Sequence, residues 1–508
     1  MYSRITSLGL FGLDGYIITV EADTSNGLPA FDVVGLPDAS VSESRNRVRS
    51  AIKNQGYTFP VSRITVNLAP ADKRKSGPVY DLPIMLSVLK ASGQLSFNTD
   101  NSAFVGELSL DGKLRHINGA LSMAIAAKQS GIENLFLPKD NAAEAAVATG
   151  INVYGVASFK ELIDHLSGEK PIDKEEPLPF EASFVSSLVD FSDVKGQAVA
   201  RRALEIAAAG GHNLLMIGPP GAGKSMLAKR LPTILPPMSY KEAIETTKIY
   251  SVAGALGKGA SLITERPFRS PHHTVSPVGL SGGGSIPKPG EISLSHNGVL
   301  FLDELPEFTR QAMEVLRQPI EDDEVTISRV AGSLTYPCSI MLVAAMNPCP
   351  CGNYGSSTKE CTCSQLSVER YLSRISGPLL DRLDLHVEVT AVDYDAIADK
   401  QKSESSEKIR KRVIAARNIQ QRRYENTNIS CNAKLGSAMS SDACRMTKRG
   451  EETLKRAFES LGLSARAYDK VLKVSRTIAD LSGDEVIDSF HIAEAIQYRT
   501  LDKKYWRR

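Results

Sequence analysis

The pattern of apolar and polar positions predicts strands and helices that alternate over most of the chain. Runs such as YIITVEA, RITVNLA and NLFLP are typical of strands, whereas SESRNRVRSAIKNQG and ALSMAIAAKQSG have helical periodicity. The alternation resumes near residue 189 and continues to about residue 392, after which the composition becomes polar and helical. We therefore expect an α/β fold that ends in a helical region.

Changes in composition along the chain mark the expected domain boundaries. The stretch GEKPIDKEEPLPFEASF is rich in proline and charge and has no periodicity, which is typical of a linker. The sequence predicts an N-terminal α/β domain, a linker, an α/β core and a C-terminal helical lid, at residues 1–168, 169–188, 189–395 and 396–508.

Composition and charge narrow the class of protein. With 508 residues, 42% hydrophobic and 23% charged, the chain fits several ordinary globular domains. Its 60 basic and 58 acidic residues give a formal charge of +2, which neither favours nor excludes nucleic acid as a partner. The N-terminal segment lacks the apolar core of a secretory signal, and no run approaches the roughly 18 uncharged residues of a membrane span. Seven cysteines, mostly clustered, do not suggest a disulfide framework, so we expect a cytoplasmic protein with no membrane partner.

The segment NLLMIGPPGAGKSMLAKRL predicts a phosphate-binding loop between a strand and a helix. It contains the motif G-x-x-x-x-G-K-S, in which glycines let main-chain N–H groups surround phosphate oxygens at a helix N-terminus. Lys224 is expected to reach the β- and γ-phosphates, and Ser225 to bind Mg²⁺. The expected nucleotide-binding residues of this loop are Gly218, Pro219, Pro220, Gly221, Ala222, Gly223, Lys224 and Ser225.

Two more apolar strands end in polar residues with matching chemistry. NGVLFLDELPEF ends a strand in Asp303 and Glu304, the Walker B arrangement. Asp303 is expected to hold Mg²⁺ through water, and Glu304 to polarise the attacking water. SIMLVAAMNPC ends a strand at Asn347, whose amide can orient that water or sense the γ-phosphate. Together these motifs predict ATP binding and hydrolysis.

Four cysteines follow Asn347 within MNPCPCGNYGSSTKECTCSQ, spaced as C-x-C, nine residues and C-x-C. Four thiolates suit a closed tetrahedral Zn²⁺ site, although C-x-C is less typical than C-x₂-C. Zinc would join the two ends of a thinly packed loop; reduced structural cysteines and an oxidation-sensitive pair stay open as alternatives. The expected zinc ligands are Cys349, Cys351, Cys361 and Cys363.

The order of these motifs resembles the branch of AAA+ ATPases that contains magnesium chelatase and MCM helicases. The resemblance extends to RISGPLLDRLDLHVEV and LSARAYDKVLKVSRTIADL. It implies that Arg382 is an arginine finger for the neighbouring subunit's γ-phosphate and that Arg466 is sensor 2, with Arg374 a rival finger. A finger that acts on a neighbour implies a ring, expected to be a homohexamer. The catalytic residues expected in this way are Lys224, Glu304, Asn347, Arg382 and Arg466.

Two insertions resemble those of the same branch. PFRSPHHTVSPVGLSGGGSIPKPGEISLSHNG is similar to its helix-2 insert, a pore-facing loop, for which a subunit contact or a plain surface loop is the alternative. In DDEVTISRVAGSLTYPCSIML, two alternating segments flank Ala331-Gly332, which predicts a hairpin like the pre-sensor-1 hairpin. That hairpin can serve ring assembly instead of DNA. The candidate DNA contacts are Arg269, His272, His273 and Arg329.

The N-terminal region resembles the Lon protease domain without its catalytic pair. VGELSLDGKLRHINGALSMAIAAKQSGIENLFLPKDN and KRKSGPVYDLPIML carry the resemblance. Val79 stands where Lon has its serine, and Leu121 where the lysine is expected. A Ser-Lys dyad needs a hydroxyl and an amine, so we expect no peptidase activity. The domain is expected to serve docking or ring stacking.

The whole chain is similar to the ComM/YifB family, which implies a hexameric ATP-driven DNA helicase. The implied activity is branch migration when transforming DNA is integrated by homologous recombination. The implied cofactors are ATP, Mg²⁺ and structural Zn²⁺, and the implied partners are single-stranded or branched DNA, other copies of the chain and recombinase-coated DNA. A protein-remodelling AAA+ ATPase and a magnesium chelatase subunit stay open as alternatives.

Overall fold

The computed structural model describes residues 1–184, 189–284, 287–329, 332–355, 359–392 and 403–506. The side chain of Arg329, the hairpin residue Ala331 and the expected boundaries at 188 and 395 lie outside the described residues. The strands are β1 (Tyr2–Phe11), β2 (Asp14–Ser25), β3 (Ala30–Val34), β4 (Arg63–Ala69), β5 (Ser102–Phe104), β6 (Glu107–Leu108), β7 (Leu114–Arg115), β8 (Asn134–Pro138), β9 (Asn152–Val156), β10 (Leu214–Ile217), β11 (Phe268–Arg269), β12 (Gly282–Gly283), β13 (Lys288–Pro289), β14 (Val299–Leu302), β15 (Glu324–Arg329), β16 (Gly332–Pro337), β17 (Met341–Met346) and β18 (Leu385–Glu388).

The helices alternate with these strands up to β18 and follow one another after it. They are α1 (Ala39–Asn54), α2 (Asp81–Ala91), α3 (Ala120–Gln129), α4 (Ala142–Ala145), α5 (Phe159–Leu166), α6 (Ala198–Gly210), α7 (Lys224–Arg230), α8 (Tyr240–Ala253), α9 (Pro277–Ser281), α10 (Glu291–Leu294), α11 (Arg310–Glu314), α12 (Arg317–Asp322), α13 (Gln365–Leu372), α14 (Gly377–Leu380), α15 (Ser406–Arg423), α16 (Ser437–Ala443), α17 (Lys448–Leu461), α18 (Ala465–Ser482), α19 (Ser489–Gln497) and α20 (Leu501–Trp506). The predicted α/β fold with a helical C-terminal region is confirmed. Within the described ranges, no helix is both long and apolar enough to cross a membrane.

Residues Met1–Glu181 and Tyr240–Ile263 form one compact unit around a seven-stranded sheet of order β3-β4-β2-β1-β5-β8-β9. β2 pairs antiparallel with both β1 and β4, whereas the outer pairs are parallel. Helices α2 and α3 pack on the β1–β2 hairpin. Val79 and Leu121 lie buried in the apolar core of this unit. Neither position therefore offers a polar group to a substrate.

The segment Tyr240–Ile263 follows the phosphate loop in the chain but folds with the N-terminal residues. Its helix α8 packs on α3. The Ser251 hydroxyl accepts a hydrogen bond from the Gly119 N–H at 2.8 Å and donates one to the buried Glu144 carboxylate. No pattern in the sequence separates this segment from the core expected over 189–395. Its place in the fold is decided by buried hydrogen bonds to residues more than 100 positions away in the sequence, Gly119 and Glu144.

Residues Ala182–Ser239 and Thr264–Arg508 form the second unit around a parallel sheet of order β11-β14-β17-β10-β18. Strands β10, β14 and β17 are buried along their whole length and read as continuous apolar runs, as parallel strands covered on both faces do. Helix α6 packs against β10, β18 and the C-terminal helices α15 and α18.

The predicted hairpin is present as the antiparallel pair β15–β16. Its Val325, Ile327 and Tyr336 are buried, and the Tyr336 hydroxyl donates to the Pro287 carbonyl at 2.8 Å. The hairpin is therefore packed on this unit by one apolar face and leads directly into β17.

Candidate functional site

The phosphate loop lies at the carboxyl edge of the parallel sheet, between β10 and α7. Gly218 packs so closely that a Cβ would lie 2.1 Å from the Val389 carbonyl oxygen. Gly221 and Gly223 have φ angles of 78° and 92°, which residues with a Cβ disfavour. Gly223 also caps α7, so the unpaired N–H groups of that helix lie at the loop. The loop can therefore present main-chain donors to phosphate oxygens, as its glycines predicted.

The Lys224 ammonium group lies among oxygen atoms of this edge. Its Nζ donates to the carbonyls of Gly218 at 2.7 Å and Pro219 at 2.9 Å, and to Asn347 Oδ1 at 3.0 Å. Burial lowers the pKa of Lys224, while the nearby Asp303 carboxylate acts in the opposite direction. A phosphate in the loop would offer this ammonium anionic oxygens in place of neutral carbonyls.

Ser225 and Asp303 meet across the central strand of the sheet. The Ser225 hydroxyl donates to Asp303 Oδ2 at 2.5 Å. Asp303 directly follows β14, Ser225 is the second residue of α7 after β10, and β17 pairs with both strands. Hydroxyl and carboxylate oxygens are the ligands that Mg²⁺ prefers, so the two side chains fit this ion.

Glu304 is paired with a residue of the predicted DNA-binding loop. Its backbone is left-handed, with φ 52° and ψ 46°, which is uncommon outside glycine. Its Oε2 lies 3.1 Å from His273 Nδ1. The His273 ring in turn contacts the His272 ring at a tilt of 35°, with 4.1 Å between the centroids. The fold thus brings an expected catalytic carboxylate against an expected DNA contact.

Arg269 has a partner of a different kind. Its guanidinium group forms two hydrogen bonds of 2.7 Å with the Glu291 carboxylate. Bidentate pairs of this geometry are strong, so Arg269 fixes α10 beside the edge strand β11. Glu291 was missed in the sequence, where no charge pattern links the two positions.

Arg382 and Arg466 line one cavity of about 770 Å³, together with Lys434, Lys470 and Lys473. The Arg382 carbonyl accepts a hydrogen bond at 3.2 Å from the Asn213 side chain, which precedes β10. The cavity therefore lies at the amino edge of the sheet, opposite the phosphate loop. Four residues of β10 separate the two edges by about 13 Å. None of the described loop residues 218–223 lines this cavity.

The Arg382 side chain donates to the Pro378 carbonyl at 2.6 Å and pairs with Glu321. Arg374, the rival finger, lies elsewhere. Its Nη1 is 2.9 Å from Glu307 Oε2, in the turn that follows Glu304. The two candidate fingers thus lie in different environments. The ion-pair partner of Arg374, Glu307, follows the Walker B acid Glu304 by three residues, whereas Arg382 lines the cavity at the opposite edge of the sheet.

The four cysteines of the 349–363 segment converge. Sγ distances are 3.4 Å for Cys349–Cys351, 3.7 Å for Cys349–Cys361 and 3.6 Å for Cys351–Cys361, and all four ligand atoms, with that of Cys363, lie within 4.8 Å of one another. These cysteines are free thiols, because a disulfide would need about 2.05 Å. Zn–S bonds of about 2.3 Å in a tetrahedron give S–S edges of about 3.8 Å. The thiol positions therefore fit Zn²⁺.

Two polar residues that the sequence did not single out hold the sheet edge together. Asn213 accepts from the Leu342 N–H at 2.8 Å, besides its bond to the Arg382 carbonyl. Asp384 is largely buried, with its side chain 14% exposed, and lies 2.9 Å from Lys470 Nζ and 3.5 Å from His212 Nδ1. Their only signal in the sequence is a polar residue directly before an apolar strand.

Comparison with known proteins places these motifs in one family. Three family models match: "Magnesium chelatase, subunit ChlI" over 190–397, "Subunit ChlI of Mg-chelatase" over 20–141 and "Magnesium chelatase, subunit ChlI C-terminal" over 403–499.

Full-length relatives extend the match. YifB of Salmonella typhimurium is 44% identical over 494 residues, covering 97% of this chain and 96% of the relative. The competence protein ComM of Haemophilus influenzae is 43% identical over 509 residues, covering 99% and 97%. A Lon protease of Leptospira interrogans is 29% identical over 185 residues, covering 34% of this chain and 22% of that protease. Because the first two matches span nearly the whole length of both chains, this protein belongs to the ComM/YifB family of magnesium-chelatase-like AAA+ proteins.

Proposed function

We propose that this protein is a ring-forming AAA+ ATPase that drives branch migration of DNA during homologous recombination in natural transformation. The observation that carries the proposal is the separation, within one chain, of the Walker residues from Arg382 and Arg466. A site with its arginines at the opposite edge is completed by a neighbouring copy. Similarity to a competence protein supports the cellular role, in the cytoplasm, where DNA is integrated.

Within one chain, the Walker residues divide the work of ATP hydrolysis. Ser225 and Asp303 would hold Mg²⁺, which neutralises charge on the β- and γ-phosphates when bound. Lys224 neutralises charge on the same phosphates. Glu304 accepts a proton from the attacking water, and Asn347, already bonded to Lys224, orients that water at the same edge.

The neighbouring copy supplies the remaining positive charge. A head-to-tail interface closes into a ring when its rotation closes, and we propose a homohexamer. The cavity that contains Arg382 and Arg466 also contains three lysines, so it is suited to face a neighbour's phosphates. An arginine supplied to the transferred phosphoryl group contributes about 10³- to 10⁵-fold in rate.

DNA contact is proposed for the two insertions. The helix-2-like insert carries His272 and His273, and the contact of His273 Nδ1 with Glu304 Oε2 would transmit the presence of DNA to the catalytic carboxylate. The β15–β16 hairpin, which carries Arg329, leads directly into the strand that ends at Asn347. Single-stranded or branched DNA, including recombinase-coated DNA, is the proposed substrate, and the Lon-like unit is the proposed docking or ring-stacking element.

The deciding experiment measures the ATPase rate of the protein alone, with single-stranded DNA and with a four-way junction, with Lys224→Ala as the blank. Strong stimulation by DNA that disappears in the variant supports the motor. Stimulation by unfolded protein and not by DNA would replace it with a protein-remodelling activity.

A magnesium chelatase subunit is the second candidate, because three family models carry that description. The Lon-like region and the four-cysteine cluster argue against it. Metal insertion into a porphyrin, measured by absorbance, would decide between the two.

The coupling through His273 has a test of its own. His273→Ala removes the partner of Glu304, so we expect a higher basal ATPase rate and a smaller ratio of DNA-stimulated to basal rate. His272→Ala is the matched control for the basal rate, which is measured without DNA, because His272 hydrogen-bonds Thr274 at 2.9 Å rather than Glu304. If His273→Ala changes the basal rate no more than the control does, the contact between His273 and Glu304 has no role in coupling.

A further inference from the structure

The four-cysteine cluster touches the phosphate loop through one glycine. Gly352 has a φ angle of 82°, and a Cβ on it would lie 2.4 Å from Pro220 Cδ. Its N–H donates to the Cys349 carbonyl at 3.0 Å, and the Tyr354 N–H donates to Cys349 Sγ at 3.3 Å. The turn that carries two of the thiols is thus packed directly on the second proline of the loop.

The same cluster is joined to Asn347 at both ends. Cys349 lies two residues after Asn347, whose Oδ1 accepts from Lys224. On the other side, Cys363 directly precedes Ser364, the cap of α13, and the hydroxyl of Tyr371 in that helix lies close to the Asn347 main chain. A shift of the cluster would therefore displace both the phosphate loop and Asn347, the residue expected to sense the γ-phosphate.

We propose that Zn²⁺ bound by Cys349, Cys351, Cys361 and Cys363 holds the Gly352 turn against Pro220, so that metal occupancy sets the affinity of the phosphate loop for ATP. This inference rests on the proposed ATP site, but not on DNA as the substrate. Four sulfur atoms within 4.8 Å of one another have the spacing of a tetrahedral zinc site. Neutral thiols are only weak hydrogen-bonding groups, so four Zn–S bonds would hold the turn far more firmly than the Gly352 and Tyr354 hydrogen bonds alone.

The effect on nucleotide affinity follows from the close approach of Gly352. When Gly352 becomes alanine, the distance between its Cβ and Pro220 Cδ must increase from 2.4 Å to about 3.4 Å, the lower limit of ordinary contact. Pro220 must therefore shift by about 1 Å. A displacement of about 1 Å in a group that positions a substrate can cost about 100-fold in reaction rate, and we expect a loss of about 10-fold or more in nucleotide affinity because the same main-chain donors move away from the phosphates. Loss of zinc removes the support of the same turn and is expected to act in the same direction.

The matched control is a second glycine of the same segment. Gly355 also has a positive φ angle, 74°, but a Cβ there would lie 3.7 Å from Lys504 Cε, an ordinary contact. Gly355→Ala therefore imposes similar backbone strain without contact with the loop.

The experiment uses the full chain and measures bound zinc by mass spectrometry and the dissociation constant of a fluorescent ATP analogue by anisotropy. We expect one zinc per chain, and weaker nucleotide binding by about 10-fold or more after chelation, restored by added Zn²⁺. Gly352→Ala should keep its zinc and lose affinity, whereas Gly355→Ala should keep both. Circular dichroism before and after chelation verifies that the protein stays folded.

Three results would overturn the proposal: no zinc in reducing buffer with the fold intact, full nucleotide affinity after chelation, or equal affinities for Gly352→Ala and Gly355→Ala. Absence of nucleotide binding by the zinc-loaded wild-type protein would instead refute the proposed ATP site itself. The binding measurement contains no DNA, so failure of DNA stimulation leaves it unaffected.

Discussion

Mixing two inactive variants tests whether a neighbouring copy completes the ATP site. Lys224→Ala removes the ammonium group of the loop and keeps Arg382, whereas Arg382→Ala keeps the loop and removes the arginine. Lys224 follows the carboxyl end of β10, while the Arg382 carbonyl is bonded to Asn213 at its amino end. If the arginine acts on a neighbour, each variant supplies what the other lacks.

The expected changes in ATPase rate are large enough to tell whether Arg382 acts on a neighbouring copy or only within its own chain. Arg382→Ala alone should lose about 10³-fold or more in rate. The Arg382 side chain is only 12% exposed, although its partner Glu321 is 51% exposed, so the unfolding midpoint of Arg382→Ala is measured beside its rate to separate a loss of folding from a loss of catalysis. In an equimolar mixture assembled at random, about one interface in four joins an intact loop to an intact arginine in a head-to-tail ring. The mixture should therefore regain about a quarter of the wild-type ATPase rate.

Phosphate release is measured at constant total protein concentration while the ratio of the variants is changed. The rate should rise to a maximum at equal amounts and fall on both sides. Arg374→Ala, mixed in the same way, tests the rival finger, and Arg466→Ala tests sensor 2. If every mixture of Lys224→Ala with Arg382→Ala stays as inactive as its components, the arginine does not act across an interface and the proposed ring site is wrong.

Two further substitutions test the buried polar contacts of the two units. Burial alone would raise the pKa of Asp384, but Lys470 and His212 hold it below its usual value. The Asp384 carboxylate therefore stabilises the fold above about pH 4, which is the pKa of Asp in the unfolded chain. This contribution to the free energy of unfolding is lost as the pH falls further. Asp384→Asn should lower the free energy of unfolding by about 3–5 kcal/mol at neutral pH and weaken its acid dependence in urea titrations; an unchanged acid limb would contradict this assignment. Ser251→Ala leaves Glu144 without one partner and should destabilise the N-terminal unit by about 1–3 kcal/mol, with faster hydrogen exchange there. Ser261→Ala, in the same segment, is its control, and equal exchange in both variants would refute the role of Ser251.

The sequence was sufficient for those parts of the site whose chemistry lies at the end of a strand. In a parallel sheet the carboxyl ends of all strands meet at one edge, so three motifs that each follow an apolar run had to converge. Lys224, Asp303 and Asn347 do converge in this way. The β15–β16 hairpin was equally predictable, because alternation and a central glycine are local signals.

Other features depended on contacts between distant segments and were hidden for that reason. Residues 240–263 lie between the two Walker motifs in sequence, yet hydrogen bonds with the N-terminal residues decide where they fold. Gly352 and Pro220 each look like ordinary turn residues, and only their packing against each other connects the cysteines to the loop. Local propensity carries no information about which core, or which second turn, a segment will meet.

Strand β17 explains how one chain can connect the hairpin, the nucleotide and the cysteine cluster. Its residues 343–346 pair with β10 and its residues 341–344 pair with β14, so it is held on both sides, and all six of its residues are buried. A shift of one residue along its axis would turn every buried side chain to the opposite face, so the strand moves as a whole or not at all. The hairpin precedes this strand, and Asn347 and Cys349 follow it. If Asn347 senses the γ-phosphate as proposed, a change in that contact would reach the hairpin through a rigid connection of about 20 Å.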